Sequence, residues 1–176
     1  MRSEMKNAIM SVIAVALVLS FAGCKYPAPL TEEHTIAIDP SIIGLWEEVP
    51  EGNSVPDPNG RMLVLKYSDT EYLVHYPTGK DGEYFRAYPI KIGGVSCIQI
   101  QAIGKAGRDI GKEEKKYDVI SYSLSNNEVE IKTLNTYVID ENIKDSAGLK
   151  EAFMKNRDNK DLFANPGRFR RVREKN

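Results

Sequence analysis

Hydrophobic and polar positions alternate through the middle of this chain with a period close to two. Val129, Ile131 and Thr133 interleave with Glu128, Glu130 and Lys132, the pattern of a strand in a sheet with one wet face. Similar short runs, rich in β-branched and aromatic residues, recur at 62–67, 72–76, 84–92, 95–101 and 117–124. Turn residues separate them: Ser68-Asp69-Thr70, Gly79-Lys80-Asp81-Gly82, Gly93-Gly94 and Ser125-Asn126-Asn127. The Gly-Gly pair tolerates positive φ and suits a tight hairpin. A first strand is expected at 42–46, after a turn at Asp39-Pro40-Ser41, with a proline-rich loop over 50–60 and a continuation or further strand at 137–139. No helical pattern falls between these strands, which argues against a parallel α/β sheet. One helix follows, with Ser146 as its N-cap and Leu149, Ala152 and Phe153 on one face, ending near Asn156. Asn165-Pro166-Gly167 then turns the chain into a last strand at 168–173. The expectation is a mainly β fold, an antiparallel meander closing into a small barrel, with one C-terminal helix before the last strand. Closure removes exposed sheet edges.

The N-terminus carries a different pattern. Arg2 and Lys6 precede an uncharged stretch over 8–23, shorter than the roughly 20 residues of a membrane-spanning helix and suited to an export signal. It ends in Phe21-Ala22-Gly23-Cys24. This ending resembles the lipobox of bacterial lipoproteins, although Phe21 stands where that family usually has Leu, Val or Ile. The resemblance implies that residues 1–23 are a signal peptide and that Cys24 becomes the lipidated first residue of the mature chain. An uncleaved anchor, or a signal cut elsewhere, is the alternative; either holds the chain at a membrane. Lys25 after the cysteine implies the outer membrane, facing the periplasm, more than the inner one. Residues 24–38 contain Pro27, Pro29 and Glu32-Glu33 and read as the lipidated cysteine and its tether, leaving 39–176 as a single domain.

Composition narrows the chemistry. The chain of 176 residues is 41% hydrophobic and 28% charged, enough for one domain with a real core. Twenty-four Lys and Arg against 25 Asp and Glu give a net charge of -1, so no basic field points to nucleic acid. Two cysteines and two histidines supply neither a disulfide framework nor metal-ligand spacing. Cys97, in the apolar stretch 95–100, reads as a core residue rather than a nucleophile. The segment Gly104-Lys105-Ala106-Gly107-Arg108 lacks phosphate-loop spacing, and 104–116 reads as a mobile flap: a solvated loop, or a lid or partner-binding loop. No acid, base or nucleophile constellation emerges, so neither catalysis nor a cofactor is expected.

Gly44-Leu45-Trp46 at the first strand resembles the G-x-W element of lipocalins and related calycin barrels, and the strand–helix–strand ending resembles their order. That likeness implies that Trp46 closes the barrel base beneath a late arginine, Arg171 or Arg170, through a cation–π contact worth roughly 0.5–2 kcal/mol. The T-D-Y element and disulfides of that family are missing. Tyr72, Val74, Tyr76, Phe85, Ala87, Ile98 and Ile100 are candidates for the barrel interior, where they either fill a solid core or line a cavity for an apolar ligand. The function expected is that of a membrane-anchored, periplasm-facing lipoprotein binding a lipid or other small apolar ligand. The alternative is a solid-core module that binds an envelope protein, in assembly or inhibition. A monomer is expected.

Overall fold

A computed structural model describes residues 25–50, 52, 55 and 57–173. The leader 1–23 and Cys24 lie outside the described residues. Eight strands run in order: β1 (Gly44–Glu48), β2 (Arg61–Lys66), β3 (Tyr72–Tyr76), β4 (Glu83–Ile92), β5 (Val95–Lys105), β6 (Tyr117–Ser125), β7 (Glu128–Leu134) and β8 (Phe163–Arg171). Each pairs antiparallel with the next, and β8 returns to β1 with Trp46 opposite Arg171, so the sheet is a closed barrel. Helix α1 (Ser146–Asn156) precedes β8. The meander, its closure and the helix before the last strand are as the sequence pattern indicates.

The boundaries differ where local chemistry outweighs periodicity. The first strand begins at Gly44 rather than at 42, because the turn expected at Asp39-Pro40-Ser41 extends into a 3-10 helix, Pro40–Ile42, in which Pro40 pre-sets the helical φ and the Asp39 carboxylate accepts from Ser41 N at 2.9 Å. The N-cap of α1 is Asp145, which accepts from Gly148 N at 2.8 Å; Ser146 is already helical. Residues 137–139 form a turn, with the amides of Val138 and Ile139 both donating to Asn135 O. Asn165-Pro166-Gly167 lies within β8 rather than ahead of it. The chain absorbs it as an irregularity in the β7–β8 register between Ile131 and Thr133, with Asn165 at φ 54°.

Two apolar clusters share the sheet as a wall. The interior holds Trp46, Met62, Val64, Tyr72, Tyr76, Phe85, Ala87, Ile98, Ile100, Ile131 and Phe169, among others. The outer face of β4–β6 holds Tyr88, Ile90, Ile92, Cys97 and Val119, packed against Leu149 and Phe153 of α1 and against Ile139 and Leu162. Cys97 is therefore core, and burial pushes its thiol up to about 12.

The remaining cover for that face comes from the segment expected to be a tether. Residues 25–38 run along the barrel wall instead of standing off it, with Tyr26 and Leu30 buried in the outer cluster. Tyr26 and Tyr117 exchange backbone hydrogen bonds of 2.9 and 2.8 Å, on the edge of β6 that β7 leaves unpaired. The buried Gln99 side chain accepts from Leu30 N at 2.7 Å and Thr31 N at 3.2 Å and donates to Thr31 O at 2.9 Å. Further along, His34 Nε2 lies 3.0 Å from Glu71, whose carboxylate also takes a forked contact from Arg86. Ile38 N finally donates to Asp69 O at 3.0 Å. The reason is burial: an outer face this apolar requires a cover, and Tyr26 and Leu30 provide it.

Candidate functional site

Strand alternation gives the barrel two chemically different ends. At one end sit the starts of β1, β3, β5 and β7, the 3-10 helix and the hairpin turns at 93–94 and 126–127. The longer connections after β1, β3, β5 and β7 form the far end.

The 3-10 helix plugs the first end, held there by Trp46 and Arg171. Trp46 Nε1 donates to Ile42 O at 2.8 Å, and the Arg171 guanidinium donates to Ile43 O at 2.8 Å and also to Ser41 O. The same guanidinium lies 4.2 Å over the Trp46 ring. Gly44 makes this approach possible: a Cβ there would stand 2.6 Å from Arg171 Nη1, and φ at Gly44 is +142°. Of the two late arginines, Arg171 is the one that reaches Trp46. Arg170, offered with it as a base residue, lies on the opposite face of β8 and pairs with Glu128 at 2.8 Å. Neighbouring strand residues point to opposite faces, so only one of the two can enter the base.

Between the ends is a cavity of about 60 Å³. Tyr72, Val74, Tyr76, Phe85, Ile98 and Ile100 all line it, as does Ala87. Sequence reasoning missed Ile42, Met62, Val64, Ile120, Tyr122, Val129 and Ile131 on its wall. The strand alternation could have found most of them, since each shares its strand's inward parity; Ile42 could not be found that way because it belongs to the plug.

The polar atoms of two lining tyrosines are engaged at the plugged end. Tyr72 Oη accepts from Asp39 N at 2.6 Å and donates to Asp39 O at 3.1 Å, while Tyr122 Oη lies 3.5 Å from Asp39 Oδ2. Burial pushes the Tyr72 hydroxyl up to about 12, so it keeps its proton for this contact. Hydrogen bonding from Ser41, with a further contribution from Tyr122, holds the Asp39 carboxyl below its ordinary range, against the opposing effect of burial. The rings rather than the hydroxyls of these tyrosines therefore contribute to the cavity. From the loop joining β5 to β6, Ile110 packs against the interior cluster, so this flap closes over the barrel's content.

Such a wall offers dispersion contact and exclusion of water, and little to a charged or strongly polar guest. The volume is well below the about 300–1,000 Å³ of pockets for drug-sized molecules. It suits the end of an unbranched chain or a very small apolar molecule. Among the described residues, no group of three or more His, Cys, Asp or Glu side chains is placed to hold a metal ion. The closed eight-stranded antiparallel barrel is consistent with a lipocalin-like fold. Neither protein-family models, curated proteins nor solved structures compared with this chain match it.

Proposed function

We propose that this is a lipid-anchored envelope lipoprotein whose barrel accepts a slim apolar ligand. In this reading Cys24 carries the anchor, and the barrel faces the periplasm from the outer membrane as a binding protein rather than an enzyme. The observation that carries the ligand reading is the axial cavity, walled by apolar side chains and tyrosine rings, with the hydroxyls of Tyr72 and Tyr122 turned to Asp39. A chain of methylenes placed there gains about 0.8 kcal/mol for each one buried. Its polar head would stay outside.

Ala87→Leu tests this by filling the space from the wall. Excluding two methylenes of ligand loses about 1.6 kcal/mol, a weakening of about fifteenfold. Titration of decanoate into residues 25–176 should give saturable binding of one molecule per chain, weakened by that factor in the variant. The variant's melting temperature should hold or rise. Identical binding in both proteins would place the ligand elsewhere.

The small volume favours a second reading, in which the barrel is in effect solid and works by touching an envelope protein through its loops. Absence of decanoate binding together with a saturable protein partner would select it.

A further inference from the structure

The segment that connects Cys24 to the barrel is bound from its first described residue. Lys25 Nζ lies 3.8 Å from the buried Asp118 carboxylate, and Tyr26 is fixed by two backbone bonds to Tyr117 and by its hydroxyl to Ile139 O at 2.9 Å. Tyr117 opens β6 and Ile139 follows β7, so both mark the far end of the barrel. A slack tether over 24–38 would let the domain wander by roughly 20 Å from its anchor. Here the docked residues Lys25 and Tyr26 follow Cys24 directly in the sequence.

We propose that a lipid on Cys24 seats the barrel with its far end against the bilayer, placing the β5–β6 loop and the turn at Tyr137 among the lipid headgroups. This rests on the lipid-anchor reading above. The surface beside the anchor point suits that contact. Tyr137, two residues from Ile139, is 99% exposed, and an exposed tyrosine has the amphipathic character favoured at the headgroup level. Lys115 and Lys116, immediately before Tyr117, are exposed and offer cations to phosphate groups, beside the exposed carboxylates of Glu113 and Glu114 in the same loop and of Asp140 and Glu141 after Tyr137. The plug and the hairpin turns would then point away from the membrane. Ile110, which packs over the barrel interior, belongs to the same membrane-facing loop. An apolar ligand leaving the bilayer would meet this flap without crossing water.

The test uses the full chain, produced in a bacterial host, extracted from membranes in detergent and reconstituted into phosphatidylethanolamine–phosphatidylglycerol vesicles. Single cysteines replace Tyr137 or Tyr67, the latter 70% exposed in the β2–β3 turn at the plugged end. An environment-sensitive thiol dye then labels each, Cys97 being buried. With nitroxide placed on the lipid headgroups, the dye at 137 should lose emission and shift to the blue, while the dye at 67 stays unaltered. A protein that floats with the vesicles but shows equal quenching at both sites, or quenching at 67 alone, overturns the orientation while leaving the anchor intact. A protein that fails to float, behaving like its Cys24→Ala variant, removes the anchor and the orientation together.

Discussion

At the residue scale, the plugged end turns on one mutual dependence between Gly44, Trp46 and Arg171. Trp46 is fully buried, and truncating a core tryptophan costs about 3–5 kcal/mol. The guanidinium that covers its ring occupies the space a Gly44 side chain would need. Gly44→Ala and Arg171→Ala should therefore couple: the double variant should be more stable than the sum of the single losses predicts, by about 0.5–3 kcal/mol. Denaturant melts of the four proteins measure this, and strict additivity would separate the glycine from the arginine. Asp118 offers a second test at this scale. Burial is the largest influence on it and raises its pKa from 3.8 to about 6, while Lys25 pulls the other way. The folded state thus binds this proton more tightly than the unfolded chain does. Asp118 contributes stability that is present below the unfolded value and lost as pH rises through about 6. The melting temperature of Asp118→Asn, relative to the parent, should accordingly climb between those two values and level off above them. A difference that stays flat or falls across that window would contradict the assignment.

At the scale of elements, the N-terminal segment is a strap whose fastening is concentrated on Gln99. Removing that side chain by Gln99→Ala leaves the buried amide of Leu30 and the half-buried amide of Thr31 without their acceptor, at about 1–3 kcal/mol for a buried group left unsatisfied, while Thr31 O keeps the Tyr88 hydroxyl. Hydrogen exchange should show 30–31 losing protection while the amides of β2 and β3 keep theirs. Loss across the whole barrel would mean that the strap is part of the folding core. This element was the hardest to read beforehand. Pro27, Pro29 and Glu32-Glu33 have the composition of a linker, and the apolar residues that matter, Tyr26 and Leu30, are too few for any periodicity. The signal lay in what they cover. Residues 95–100 include Cys97, Ile98 and Ile100 on both parities, and such a run needs burial on both faces of its strand. The meander itself was legible because turn residues and period-two runs coincide. The ends were less so: the turn at Asp39 and Pro40 extends as a 3-10 helix into Ile42, the first residue of an apparent strand, and β8 runs through a proline and glycine that look like a break.

At the scale of the whole molecule, the sheet divides two jobs between its faces. Its outer face binds the strap and α1, which stiffen one side of the barrel. Its inner face surrounds an apolar space, closed from one end by Ile42 and covered by Ile110 from the loop after β5. The candidate lining residues were readable from parity alone, since inward positions on successive strands must meet. Whether they would leave a space between them was not, because the void depends on how Ile42 and Tyr122 enter from the plugged end. Native mass spectrometry of residues 25–176, with decanoate offered in excess, tests the central claim most directly. The account predicts one apolar adduct per chain, released on denaturation and weakened by Ala87→Leu. A bare mass under the same conditions would contradict it, and would leave the barrel as a filled scaffold for its loops.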